Sequence, residues 1–212
     1  MSWPGFPAVR VPGVANLQAT APHITLTVVV HDRHSRRMHM DLPVLEAGLD
    51  EIRRSPIDVG KVELIVRRPV DNEREILAEG HIDGAAGLAG DVWVSESGDV
   101  QRQLTLMNVR VIALLAGSRD RWPLAGDQLY VDLDLSGANL PPGTRLEVGS
   151  AVLEVSEAPH RGCKKFAERF GLDALRFVNS KAGYALSLRG INTMVVHGGV
   201  VRPGDIVRKR GS

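Results

Sequence analysis

The chain has 212 residues, of which 43% are hydrophobic and 24% charged, and its formal net charge is +1. These values are typical of one soluble globular domain and do not favour a dedicated nucleic-acid-binding protein, which needs a basic face. No run approaches the ~20 apolar residues that span a bilayer, and no secretory signal pattern is visible. A single cysteine, Cys163, excludes an internal disulfide and a multi-cysteine zinc site. We therefore expect a cytoplasmic protein with no nucleic-acid or membrane partner.

Residues 1–57 are predicted to form an N-terminal extension with three parts. Prolines and glycines interrupt any periodic pattern in residues 1–22, which predicts a mobile arm. Thr25–Val30 is a candidate strand because it is rich in β-branched residues. A helix is predicted over Asp41–Ser55, with Asp41 as a candidate N-cap and Pro56 as its end. Four apolar residues share one face of this helix: Leu42, Leu45, Leu49 and Ile52.

The stretch His31–Met40, between that strand and that helix, contains three histidines, an aspartate and two methionines. This composition alone suggests metal ligands. However, the spacing fits no established zinc pattern, and three arginines in the stretch would repel a cation. We interpret it as a solvated basic connector.

Residues 58–210 are predicted to form a mainly β domain with a few short helices. The predicted strands are Val62–Arg67, Val92–Ser95, Gln103–Met107, Leu129–Leu135, Arg145–Val148, Ala151–Val155, Tyr184–Leu188, Ile191–Val196 and Ile206–Arg208. Helices are predicted over Asn108–Ala116 and Cys163–Phe170, each followed by a glycine. Many short strands separated by turn signals indicate a closed or half-closed β-barrel.

Several aspartates recur at strand boundaries. We interpret three Gly-Asp pairs as turns that lead into strands; they are Gly90–Asp91, Gly126–Asp127 and Gly204–Asp205. On the candidate strand Leu129–Leu135, Asp132 and Asp134 alternate with the apolar side chains, as Tyr130 does. We expect these two carboxylates to lie on a solvated face rather than to form a catalytic pair.

The segment Ala158–Phe166 contains the candidate reactive group, Cys163. Pro159 and Gly162 predict a loop that ends where a helix begins, so the thiol is expected at a helix N-terminus, which favours an anion. Basic neighbours add positive charge, and together these effects are expected to lower the pKa of Cys163 toward ~3.5–7.5. These neighbours are His160, Arg161, Lys164 and Lys165. The alternative is a buried structural cysteine.

The order of motifs around this cysteine resembles the MOSC family, named for the C-terminal domain of molybdenum-cofactor sulfurase. The resemblance rests on Pro159-His160-Arg161-Gly162-Cys163, then Arg189-Gly190, then Gly199-Val200-Val201-Arg202-Pro203-Gly204-Asp205. Upstream, Gly87-Leu88-Ala89-Gly90-Asp91 resembles the early glycine-aspartate loop of the family. The similarity covers roughly Asp58 to Lys209 and suggests a stand-alone, bacterial-type member.

The resemblance implies a barrel whose cysteine holds sulfur as a persulfide or ligates the molybdenum of a pterin cofactor. Cys163 occupies that position, as both catalytic residue and metal ligand. The implied cofactor-binding residues are Arg189, Asn139, His160, Arg161 and Lys164. Asn139 occupies the place of an asparagine in a Gly-Glu-Asn-Leu pattern, although Ser136, Gly137 and Ala138 replace the residues around it. Arg189 could alternatively be a strand-end arginine in a surface ion pair.

Three functions remain open at this point. The first is a domain that binds molybdenum or its cofactor, or carries sulfur on Cys163, with a cysteine desulfurase or a molybdoenzyme as partner. The second is an autonomous molybdenum-dependent oxidoreductase acting on N-hydroxylated compounds. The third is a non-enzymatic binding module with a structural cysteine. Pyridoxal phosphate is associated with the family through a separate desulfurase domain, so we do not expect this sequence to bind it.

Overall fold

The computed structural model describes residues 26–27, 39–70, 72–93 and 98–210, with the backbone alone for residues 26–27. Its strands are β1 (Leu26–Thr27), β2 (Val59–Arg67), β3 (Glu75–Ile76), β4 (Gly80–Asp83), β5 (Gly87–Leu88), β6 (Leu104–Asn108), β7 (Leu129–Asp132), β8 (Arg145–Val148), β9 (Ala151–Val155), β10 (Ile191–His197), β11 (Gly199–Val201) and β12 (Ile206–Lys209). The helices are Leu42–Ala47, Leu49–Arg53, Val109–Ala116, Lys164–Phe170, Leu172–Val178 and Lys181–Ala185, with 3-10 segments at Val100–Arg102 and Arg119–Ala125.

Seven of these strands close into a barrel in the order β2-β12-β8-β9-β10-β6-β7, and β7 pairs back to β2. The β6–β7 pair is parallel and the other neighbours are antiparallel. Outside the ring, β1 and β3 extend the sheet beyond β2, and β4, β5 and β11 form a small separate sheet. The prediction of a mainly β fold with a closed barrel is confirmed.

The barrel interior is filled by alternating apolar side chains, as the period-two pattern predicts. Leu129, Val131 and Leu146 are fully buried there. Burying an aliphatic side chain of this size stabilises the fold by about 1.5–3 kcal/mol. The interior is therefore a packed core and leaves functional groups to the outer wall.

A second apolar layer covers the outside of β6 and β7. Met107 and Tyr130 point outward from these strands yet are fully buried against helices, in a cluster that includes Phe170 and Phe177. The hydroxyl of Tyr130 donates to the carbonyl of Trp122 at 2.8 Å. The expected solvated face is therefore covered at Tyr130. Asp132, at the end of β7, accepts a bond from Arg110 Nε at 2.8 Å.

The predicted helix Asp41–Ser55 is divided in two at Gly48. A side chain at Gly48 would meet Leu114 Cδ2 at 2.4 Å, so the glycine lets this segment approach the helix Val109–Ala116 closely. Leu45 and Ile52 are buried in the same outer layer as Tyr130. The division of the chain at residue 57 stays a prediction.

The predicted strand Tyr184–Leu188 is wrong, because the helix Lys181–Ala185 occupies this region. Ser180 caps that helix by accepting a bond from Gly183 N at 2.9 Å, and a tight turn follows it. The described part of the predicted strand Val92–Ser95 is not in a strand either. There the backbone N–H of Trp93 donates to the Asp91 carboxylate at 3.1 Å.

Several predictions fall on residues 1–25 and 28–38, which lie outside the described residues. They are the arm over residues 1–22, most of the connector His31–Met40, and all of the strand Thr25–Val30 except Leu26–Thr27, which pairs with β3. Among the described residues, no helix is long and apolar enough to cross a membrane.

Candidate functional site

Cys163 lies where the sequence predicts, at the residue that precedes the helix Lys164–Phe170, and it is exposed. Phe166 and Phe170 anchor this helix in the outer apolar layer. The loop before the cysteine is fixed by Asn179, which accepts from Gly162 N and donates to Gly162 O, each at 3.0 Å. The thiol is therefore held in place by packing on one side and a hydrogen-bonded loop on the other.

The thiol borders a cavity of about 210 Å³ with a strongly cationic wall. None of the described residues that line this cavity is acidic. Its five permanently charged cationic residues come from four separate parts of the chain: Arg68, Arg74, Lys165, Arg169 and Arg189. We call this the Cys163 cavity. Such a wall favours a small anion or the anionic end of a larger ligand.

Two of these arginines are held by buried carboxylates behind the wall. Arg189 Nη1 lies 2.9 and 2.7 Å from the two oxygens of Asp127, and its Nη2 donates to Ala125 O at 2.9 Å. Arg68 donates to Asp91 from Nε at 3.1 Å and from Nη2 at 2.6 Å. Both carboxylate side chains are fully buried. These contacts fix the two guanidinium groups at the cavity.

Asp127 and Arg189 form a buried pair rather than the surface ion pair considered from the sequence. Burial raises the pKa of the Asp127 carboxyl above its usual range, and the nearby Arg189 guanidinium acts in the opposite direction. Arg189 also lies over the ring of Phe166, with Cζ 5.0 Å from the ring centroid. The Gly126–Asp127 turn does lead into β7 as predicted, but its aspartate has this further role.

The other arginines are oriented by neutral acceptors. Arg74 Nε donates to Pro123 O at 3.1 Å, and Arg169 Nη1 donates to Leu124 O at 2.9 Å. Both carbonyls belong to the 3-10 segment Arg119–Ala125. Both acceptors are uncharged backbone carbonyls, and these contacts direct the two side chains.

His160 lies in the wall of the Cys163 cavity with its Nδ1 atom buried. Burial, and then the charges of Arg189, Arg68 and Arg102, hold the pKa of His160 well below its ordinary value. Asp127 Oδ1 is 3.6 Å from Nδ1, which is too far for a hydrogen bond, and that carboxylate already binds Arg189. His160 is therefore a neutral imidazole near pH 7.

This assignment predicts how stability depends on pH. Below about pH 6.5 the unfolded chain binds a proton at His160 that the folded chain does not bind, so stability falls as the pH falls. Replacing His160 with Gln should remove up to about 2 kcal/mol of the stability difference between pH 7 and pH 5. Urea unfolding of both proteins at the two pH values measures the effect. Equal differences in the two proteins would mean that folding does not lower the pKa of His160.

The structure does not bring three of the predicted residues into the Cys163 cavity. Asn139 lines a different cavity with Lys209, and its Nδ2 donates to Ile57 O and Asp134 O, each at 2.8 Å. Lys164 is 93% exposed and points to Glu168 at 4.0 Å. Arg161 lies over Tyr184 beside a neighbouring cavity. His160 and Arg189 are the predicted cofactor-binding residues that share the cavity with Cys163.

Comparison with known proteins supports the fold alone. No family model and no curated protein sequence matches the chain. The crystal structure of the YuaD protein from Bacillus subtilis is 19% identical, with a TM-score of 0.53 over 70% of this chain and 94% of that one. A second crystal structure, of a hypothetical protein, is 18% identical, with a TM-score of 0.53 over 76% and 71% of the two chains. YiiM from Escherichia coli is 18% identical, with a TM-score of 0.49 over 72% and 70%. The fold shared with the first two structures fits a MOSC-like barrel, and membership of that family stays a prediction.

Proposed function

We propose that this chain is a MOSC-type domain that binds the molybdenum cofactor, with Cys163 as the metal ligand. The observation that carries this proposal is the wall of the Cys163 cavity, where a thiol stands among five cationic side chains with no acidic residue in the lining that the structure describes. A thiolate is a soft metal ligand, and guanidinium groups suit a phosphate. A thiolate and guanidinium groups in one cavity therefore suit a cofactor that has both a metal and an anionic arm.

The polar atoms left over in the cavity wall also fit a bound group. Arg189 Nε and His160 Nδ1 are buried and have no hydrogen-bond partner among the described residues. Buried polar groups normally have partners, so an unsatisfied pair at one cavity calls for an explanation. A ligand with hydrogen-bonding atoms would satisfy them.

The cationic residues of the cavity would bind the anionic arm of the cofactor and orient it. Arg189 and Arg68, fixed by their buried aspartates, would hold the anionic arm without having to reorganise. Lys165 and Arg169 would add charge at the side of the cavity nearest the thiol helix. When bound, the cofactor supplies a redox-active metal, which is the chemistry that a reductase acting on N-hydroxylated compounds would use.

Sulfur transfer is a second candidate function because Cys163 is exposed. A protein donor such as a cysteine desulfurase could reach an exposed thiol but not a buried one. The Cys163 thiolate would attack the outer sulfur of the donor persulfide, a new S–S bond would form, and the donor thiolate would leave, with no net oxidation. Intact mass spectrometry of gently purified protein would detect the one extra sulfur. The exposure of Cys163 does not fit a buried structural cysteine.

Adjacent lysines provide a matched test of the cofactor proposal. Both lysines are exposed, but Lys165 lines the Cys163 cavity and Lys164 lies outside it. In protein purified from cells that make limiting amounts of the cofactor, Lys165→Gln should lower bound molybdenum about tenfold, because one charge-assisted contact is lost. Lys164→Gln should leave the molybdenum content unchanged. The content per chain is measured by inductively coupled plasma mass spectrometry.

Two results would contradict the proposal. If the unmodified chain from such cells contains no molybdenum, the cationic cavity has another ligand. If Lys164→Gln and Lys165→Gln lower the molybdenum content equally, general surface charge and not the cavity wall attracts the cofactor. Circular dichroism of both variants establishes that neither change disturbs the fold.

A further inference from the structure

A second cavity, of about 320 Å³, lies on the other side of His160 and has no role in the proposed function. Its size falls within the ~300–1,000 Å³ typical of sites for small molecules. His160 lines both this cavity and the Cys163 cavity. The loop that carries His160 therefore forms a wall common to the two, and a ligand in the second cavity would lie next to the proposed reactive centre.

The wall of the second cavity contains a cation stacked on an aromatic ring. Arg161 Cζ lies 5.2 Å from the centroid of the Tyr184 ring, and both residues line the cavity. Arg161 forms no ion pair with any residue that the structure describes, and its stacking leaves the N–H groups at the edge of the guanidinium available. Glu157 is the acidic residue of the lining, and in the part of the chain that the structure describes it forms no ion pair with Arg161. A guanidinium edge of this kind suits a carboxylate.

The turn behind this wall is unusual in its backbone. Ser187 has a φ of 49°, a region that residues with side chains rarely adopt, and it lines the cavity. Gly190 N donates to Ser187 O at 2.7 Å, which closes the turn. Arg189 lies inside this turn, so one constrained segment shapes both cavities. Constrained backbone of this kind is often found at binding sites.

Apolar side chains complete the lining. Leu140 and Ile191 are buried and contribute aliphatic surface to the same cavity. We propose that the second cavity binds a small planar carboxylate of the aromatic-acid class, with its ring on the apolar surface and its carboxylate on the edge of Arg161. The proposal that a carboxylate binds here depends only on the residues of the second cavity. Its role as the substrate site of Cys163 chemistry rests on the proposed function.

Benzoate and its neutral counterpart benzamide test this proposal on the full chain by isothermal titration calorimetry. Benzoate should bind saturably and benzamide at least about tenfold more weakly, because a contact between two charged groups is lost. Arg161→Gln should weaken benzoate binding by a similar factor. Glu157→Gln should strengthen it, because the change removes a like charge from the lining. The exposed Arg176, which pairs with Asp173 away from this cavity, provides the charge-matched control, and Arg176→Gln should have no effect.

Lys165→Gln distinguishes this proposal from the proposed function. If benzoate binding survives Lys165→Gln but fails in Arg161→Gln, the ligand occupies the second cavity, whatever the cofactor experiment shows. Loss of benzoate binding in Lys165→Gln but not in Arg161→Gln would place the anion in the Cys163 cavity and overturn this inference. The absence of saturable binding at millimolar benzoate would overturn it as well.

Discussion

Replacing Asp127 with alanine is expected to lower the free energy of unfolding by about 3–5 kcal/mol, because the change leaves a buried guanidinium without its counter-charge. Asp127 is fully buried, and the Arg189 side chain is 9% exposed. The contact is bifurcated, with the single nitrogen Nη1 at 2.9 and 2.7 Å from the two carboxylate oxygens. A domain of this size has about 5–15 kcal/mol of stability in total, so the loss should be visible in any urea titration.

Asp50 provides the matched control for this change. It forms an ion pair with Arg53 at 2.9 Å, but both side chains are more than half exposed. Asp50→Ala should therefore cost less than about 1 kcal/mol. The double variant Asp127→Leu, Arg189→Met should be more stable than Asp127→Leu alone, because it removes the unpaired charge together with its partner. If Asp127→Ala is no more harmful than Asp50→Ala, the buried pair does not hold the cavity wall together.

The barrel could be predicted from the sequence because its interior obeys a local rule. Residues on β8 and β9 alternate between buried positions and partly buried or exposed ones, and the alternation is visible in the sequence. The helix Val109–Ala116 could also be predicted from the sequence, because Asn108 caps its start and Gly117 ends it in the left-handed region. In each case, one segment contains the information that determines its own structure.

The sequence could not predict features that depend on a second layer. Tyr130 alternates with apolar residues and was expected to face solvent with Asp132, but helices from distant segments cover it. The segment Tyr184–Leu188 is apolar enough for a strand, yet Ser180 caps a helix there and the barrel has no place for an additional strand between β9 and β10. Packing between segments overrides local preference at these positions.

The candidate site was predictable only at its reactive atom. Cys163 was identified by its immediate neighbours, but charge next to it in sequence is not charge next to it in space. Lys164 points into solvent, whereas Arg68 and Arg74 reach the cavity from segments far away in the chain. The Gly126–Asp127 pair is visible in the sequence, but its role in the site is not. That role depends on the burial of Asp127 against Arg189, which arises only in the closed fold.

Cys163→Ser is the change expected to have the largest effect on function with the least effect on the fold. Cys163 occupies the N-cap position of the helix Lys164–Phe170 and makes no side-chain capping bond. Serine is among the preferred N-cap residues, so this substitution should keep or slightly increase stability. A hydroxyl is a poor ligand for a soft metal and cannot hold a persulfide, so bound molybdenum and the extra sulfur should both fall below a tenth of the level in the unmodified chain.

The two readouts of Cys163→Ser separate the candidate functions from each other. Loss of molybdenum in the variant, with no persulfide on the unmodified chain, would support cofactor binding. Loss of a persulfide from a chain that never contained metal would support sulfur carriage. Unchanged molybdenum in Cys163→Ser would contradict metal ligation by the thiol and leave the arginine wall as the element that binds the cofactor. Because the same wall is fixed by Asp127 and Asp91, we then expect Asp127→Ala, and not Cys163→Ser, to release the metal.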